Sequence, residues 1–140
     1  EFVMKDMVTK RGIKAKFYIA SAATSTEEIW NGIGNPVYPP AQRELAKHGI
    51  SCGGKRAVQF KKSDYDKYDY LIGMEGVNRR NMLRILGSDP ERKVSLLLDY
   101  SDRPRDIADP WYTGNFELTY RDIVEGCEGF LEYLRCKGSI

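Results

Sequence analysis

A chain of 140 residues, 41% hydrophobic and 30% charged, has room for one domain with a proper core and the ordinary balance of a soluble protein. Its formal charge of +2 is too small to argue for nucleic acid or an anionic membrane as a partner. No apolar run approaches the roughly 20 residues of a membrane span, and no signal peptide is visible.

In chain order, helical and extended segments alternate. Glu1 to Arg11 reads as a helix stopped by Gly12, with Val3 and Met7 stacked four apart. The helix has no N-cap or entry loop, so the sequence is expected to begin inside an element. Lys16 to Ala22 reads as a short strand followed by a small-residue loop to Thr26. Pro39-Pro40 opens a helix that runs to about Lys47 and is closed by Gly49. The one histidine, His48, then falls at a helix C-terminus, where it acts as a terminal cation more readily than as a catalytic base. Ser63 to Asp66 has capping-box spacing and predicts one short helical turn. Asp69 to Met74 is a buried strand by its apolar run, Asn78 to Leu86 a helix ended by Gly87, and Lys93 to Leu98 another strand. Phe116, Tyr120, Ile123, Cys127, Phe130 and Leu134 recur in steps of four and three, one face of a long amphipathic helix. Strands separated by helices imply a parallel sheet covered on both faces, with ligands bound outside the carboxyl ends of the strands.

The loop ahead of the last helix carries the most chemistry. In Asp109-Pro110-Trp111-Tyr112 the proline stiffens the loop and holds the preceding carboxylate extended. A general acid needs such stiffness to stay within hydrogen-bond reach of the atom it protonates. Two readings follow from these residues: an acid beside an aromatic pocket, or a turn whose rings cap the core. Cys52, Cys127 and Cys136 are odd in number and form no C-x-x-C pair, which suggests neither a disulfide framework nor a zinc site and fits a reducing cytoplasm. Arg79, Arg80 and Arg84 read as a solvated helix face.

Several of these pieces, in this order, resemble the low-molecular-weight protein tyrosine phosphatase family. They are Ser21 to Ser25, Trp30-Asn31-Gly32, Leu45 to Ile50, Tyr68 to Met74, Asp109 to Tyr112, and Phe116-Glu117 opening the final helix. The resemblance implies a three-layer α/β/α fold with a central four-stranded parallel sheet. It also exposes a gap, because the family begins with a strand and a C-x5-R-S phosphate loop, and no C-x5-R occurs in these residues. The expectation is one phosphatase domain over residues 1–140, incomplete at its N-terminus, with the first strand and phosphate loop supplied by a further segment or a second chain. Taken alone, the 140 residues would be inactive.

What the resemblance implies for mechanism is a cysteine thiolate that attacks phosphorus to form a phosphocysteine, with an arginine clamping the equatorial oxygens. Asp109 matches the general acid that protonates the leaving oxygen, Trp111, Tyr112 and Trp30 match aromatic substrate-binding positions, and Ser21 matches the serine that orders the phosphate loop. Read without the family, Trp30 could equally be a core edge and Ser21 a turn former. The implied substrate is a phosphotyrosine protein or small aryl phosphate, with inorganic phosphate as product and no metal or other cofactor. Lys55-Arg56-Ala57-Val58 departs from a frequent His-x-Ala-Arg, and Met74-Glu75 from Met-Asp, both near the phosphate-loop support. Pro39-Pro40 stands where an Asp-Pro-Arg run is common, at the substrate rim. Alternatives are a catalytically inactive fragment or binding module of the same fold, a phosphoarginine phosphatase, and an arsenate reductase. The last requires relay cysteines, and none lies between Gly53 and Gly126.

Overall fold

The computed structural model describes all residues, Glu1–Ile140. Its first element is helix α1 (Phe2–Lys10), one face of which, Val3, Met4 and Val8, is buried. Gly12 at φ 70° turns the chain out of it. A two-stranded antiparallel hairpin follows, β1 (Ile29–Trp30) and β2 (Ile33–Gly34), closed by Asn31 and Gly32 at φ 49° and 76°. Two successive positive φ values make the tight turn that Asn-Gly favours, a hairpin signal the sequence reading passed over. Then come α2 (Pro39–Ala46) and the single turn α3 (Asp64–Lys67). Strand β3 (Leu71–Gly73), α4 (Gly76–Leu86) and β4 (Val94–Leu96) form a parallel crossover unit in which Leu71 pairs with Val94 and Gly73 with Leu96. Residues Leu97–Tyr100 wind into a 3-10 turn, Pro110–Thr113 form the single turn α5, and α6 (Phe116–Lys137) closes the chain.

The pleat of β3 separates two layers of core. Leu71 points to a cluster with Phe60, Met82 and Leu86, under α4. Its neighbour Ile72 faces the other way, onto a larger cluster built from α1, α6 and the 3-10 turn: Val8, Leu97, Leu98, Ile107, Phe130, Leu131 and Leu134 among others. Alternation along one strand therefore puts helices on both faces of the sheet, the α/β arrangement expected. On α6 the buried positions Cys127, Phe130 and Leu134 are those the spacing predicts, with Tyr120 and Ile123 half-buried. Each such side chain taken from water contributes about 1.5–3 kcal/mol, so α6 carries a large share of the fold's stability.

One predicted strand differs. Lys14–Lys16 form a 3-10 turn, and Phe17 is extended at φ −126°, ψ 143°. Residues 17 to 20 alternate between half-buried and exposed as a strand would, yet no ladder forms along them. Pairing begins only at Ala23, whose N–H donates to Val58 and whose carbonyl accepts from Phe60, at 2.7 and 2.8 Å. A strand is defined by its partner, and residues 17 to 22 make no backbone hydrogen bond to a neighbouring segment. The parallel sheet consequently has two laddered strands, β3 and β4. No helix is long and apolar enough to cross a membrane.

Candidate active site

Asp109 sits at the start of the turn α5 and caps it, its Oδ1 accepting the Trp111 backbone N–H at 2.9 Å. Pro110 at the first helical position loses no hydrogen bond there, which is why the Asp-Pro pair forms a cap so readily. The turn ends at Gly114, φ 72°, and the chain enters α6 through Asn115, whose side chain accepts from Leu118 N–H at 3.0 Å. Upstream, the loop is tied to the sheet. Ile107 is 2% exposed and donates its N–H to the carbonyl of Met74, immediately past the carboxyl end of β3. Asp106 accepts from Gly76 N–H at 3.2 Å, the first residue of α4. Asp109 thus stands where ligands of a parallel sheet bind.

Beside it lies Glu75. Burial raises its carboxyl above the ordinary range, and the negative charges of Asp109 and Asp106 raise it further, with Arg80 opposing. Asn78 holds this corner, its Oδ1 accepting from both Met74 and Glu75 N–H groups at 3.0 Å.

The aromatic residues form an exposed rim. Trp111 and Tyr112 are 61% and 79% exposed, so they do not cap the core. Trp111 packs on Tyr38 at the start of α2, ring centroids 4.6 Å apart, and Tyr38 also touches Phe116. Tyr38 was not singled out from the sequence; its position before Pro39-Pro40, the departure at the rim, was the available signal. Trp30 stands on the hairpin, 78% exposed, and makes no ring contact with Trp111 or Tyr112. The structure brings Asp109, Trp111 and Tyr112 together on one turn and leaves Trp30 on a separate element.

Ser21 belongs to a second cluster, at the N-terminus of α1. Its hydroxyl donates to the Glu1 carboxylate at 2.5 Å, and Lys55 Nζ reaches both that carboxylate (3.1 Å) and the Ser21 carbonyl (3.2 Å). Burial would raise the Glu1 carboxyl, but hydrogen bonds from Lys5, Ser21 and Lys55 hold it down at about 2. Lys55, noted in the sequence only as a departure, is thus a working member of this cluster. His48 stacks flat on Tyr120 at 3.7 Å with Nε2 3.0 Å from Glu44, away from Asp109. Arg79, Arg80 and Arg84 are exposed along α4. No group of three histidine, cysteine or acidic side chains is placed to hold a metal ion.

The fold and this edge define an α/β domain with a stiffly held carboxylate beside an aromatic rim. The chain belongs to the low molecular weight phosphotyrosine protein phosphatase family, whose model matches residues 1–139. It is 35% identical over 133 residues to the low molecular weight protein-tyrosine-phosphatase YfkJ of Bacillus subtilis, covering 94% of this chain and 83% of that one. The YfkJ crystal structure superposes with a TM-score of 0.89 over 98% of this chain and 85% of that one, at 32% identity. A low molecular weight phosphotyrosine protein phosphatase of Gallus gallus is 36% identical over 137 residues, 94% of this chain and 84% of the relative. The crystal structure of a Drosophila arginine phosphatase matches with a TM-score of 0.81 at 26% identity, covering 95% of this chain and 86% of that one.

Proposed function

We propose that this chain is a protein tyrosine phosphatase domain that hydrolyses aryl phosphate monoesters, with Asp109 as general acid and then general base. The observation that carries this reading is the Asp109 turn: a carboxylate fixed by Pro110 and its own cap, tethered to the end of β3, with Trp111 and Tyr112 exposed beside it. A phenol has a pKa near 10, so expelling it unprotonated at neutral pH is slow, and a placed acid supplies about 10² to 10⁴ in rate. Exposed rings next to that acid suit a flat phenyl substrate. Ser21, Lys55 and Glu1 brace the neighbouring N-terminus of α1, where a phosphate-binding loop would be supported.

The reading requires a cysteine nucleophile and a phosphate-binding arginine at this edge, delivered by a further segment or a second chain. None of the three cysteines here serves: Cys52 and Cys127 are buried and burial pushes their thiols up, while Cys136 lies near the far end of α6 beside Glu132. All three are unpaired, which suits a reducing, cytoplasmic setting. Likeness to the Drosophila arginine phosphatase favours phosphoarginine as the second substrate class to test.

The test is Asp109→Asn in the full-length protein against aryl phosphates of graded leaving-group pKa. The kcat/KM for phenyl phosphate, which reports the step that expels the phenol, should fall about 10² to 10⁴-fold. p-Nitrophenyl phosphate, whose leaving group needs less protonation, should lose much less, and phosphate inhibition should be little changed. An equal loss on both esters would remove Asp109 from the acid role, and faster turnover of phosphoarginine than of phosphotyrosine would favour the second class.

A further inference from the structure

We propose that Arg105 is a positioning residue that locks the Asp109 loop onto α6, and so sets the acid's reach to the leaving oxygen. This rests on the reading of Asp109 as the acid. Four residues before Asp109, the Arg105 guanidinium makes four hydrogen bonds. Nη1 donates to the Arg103 carbonyl at 2.8 Å and to Glu125 Oε2 at 2.9 Å; Nη2 donates to Asp122 Oδ1 at 2.9 Å and to Glu125 Oε1 at 3.2 Å. The fork on Glu125 is bidentate, a geometry that fixes orientation as well as distance and that lysine cannot copy.

Glu125 also accepts the Ser101 hydroxyl at 2.5 Å, and that hydroxyl in turn accepts Arg103 N–H at 2.9 Å. One carboxylate on α6 therefore grips both ends of the segment from Ser101 to Arg105. Less than two turns back along the helix, Thr119 Oγ1 donates to the Ala108 carbonyl, at 3.2 Å, next to Asp109 itself. Together with the Ile107 and Asp106 tethers to the end of β3, the acid's approach is held from the helix on one side and the sheet on the other.

The clamp is partly solvated: the Arg105, Asp122 and Glu125 side chains are 30%, 13% and 37% exposed. Ion pairs of that kind contribute little to global stability. Five polar contacts that tie one short loop to α6 are better accounted for by geometry than by holding the domain folded. A displacement of about 1 Å at a reacting group can cost on the order of 10²-fold in rate.

The experiment compares Arg105→Gln, Asp109→Asn and the double variant in the full-length protein. Hydrogen exchange at residues 107–114 should rise severalfold in Arg105→Gln while α6 stays protected. The value of kcat/KM on phenyl phosphate should fall about 10- to 100-fold and that on p-nitrophenyl phosphate much less, with inhibition by phosphate unchanged. In the Asp109→Asn background the second substitution should add almost nothing, because there is no acid left to misplace. Unchanged exchange in the loop would overturn the proposal, as would additive losses in the double variant or equal losses on the two esters. If Asp109→Asn itself shows no leaving-group dependence, the acid reading falls separately, and the exchange result still decides whether Arg105 orders the loop.

Discussion

Helix α6 approaches the turn after β4 so closely that at Gly129 only glycine fits. A methyl placed on Gly129 would lie 2.1 Å from the Tyr100 carbonyl oxygen and 2.8 Å from its carbon, both backbone atoms that cannot rotate aside. An ordinary carbon–oxygen contact is about 3.3 Å or more, so Gly129→Ala must push helix and turn apart by about 1 Å. That gap forfeits roughly a quarter to a half of the dispersion energy between them, and overpacking of this kind costs typically 1–3 kcal/mol. The layer it opens holds Leu98, Leu131 and Phe130, at 0%, 1% and 6% exposure, which argues for the upper end. Alanine returns about 1 kcal/mol through helix propensity, leaving a net loss of about 2 kcal/mol. For a chain of this length the unfolding entropy is about 0.3 kcal/mol per kelvin, so Tm should fall by about 7 °C. Gly126→Ala is the control: its methyl meets the Leu97 side chain, nearest at 2.4 Å, which can change rotamer, so the fall should be smaller by several degrees. Differential scanning calorimetry on both variants checks this. A Gly129→Ala protein within 2 °C of the parent, or a larger fall for Gly126→Ala, would refute the backbone-contact argument.

Three further predictions concern titrating groups. In the native protein only the exposed Cys136 should react promptly with a disulfide reagent, Cys52 and Cys127 becoming available on unfolding. Burial lifts the Cys127 thiol from 9.0 to about 11, so between those values the folded state retains a proton that the unfolded state gives up. Stability should therefore fall as pH rises through that window, read as a lower urea midpoint that Cys127→Ala no longer shows. Glu125 moves the opposite way, held at about 2 by its hydrogen bonds from Arg105 and then from Ser101. Its contribution is complete above the ordinary value of 4.5 and is lost as pH falls toward 2. Trp111 fluorescence, recorded with Trp30 replaced by phenylalanine, should accordingly show a change as pH falls toward about 2 that Glu125→Gln removes. The same low-pH change in Glu125→Gln would contradict the clamp.

Local signals were legible where the structure is local. The face of α6, the stops at Gly12, Gly49 and Gly87, and the Asp109 cap all depend on residues within a few positions of one another. The exposed rim at Trp111 and Tyr112 was legible only as one of two readings, because an aromatic pair after a turn packs inward or outward according to what lies opposite. What opposes it is Tyr38, more than seventy residues earlier. The segment from Phe17 to Ala22 has the composition and alternation of a strand, but pairing is a property of two segments and cannot be read from one. Arg105 gave no signal for the same reason, since Asp122 and Glu125 become its partners only once α6 lies against the loop.

The placement of polar and apolar groups around Asp109 follows one logic. The chain leading to Asp109 is held at most of its steps: Ser101 and Arg105 by Glu125, Asp106 by Gly76, Ile107 by Met74 and its own burial, Ala108 by Thr119. Beyond the acid the large rings are left facing water, although a buried aromatic side chain is worth several times what any single one of those polar contacts contributes. A sequence selected for stability alone would bury Trp111 and Tyr112 and leave the loop polar. The chain does the reverse, spending many weak contacts on fixing a carboxylate and leaving strong apolar surface uncovered beside it. That division is what a site needs when the apolar surface is completed by a substrate ring and the carboxylate has to meet an atom of that substrate within about 3 Å. It also explains why the rim should tolerate substitution in folding assays while failing in turnover, and why the clamp should do the same.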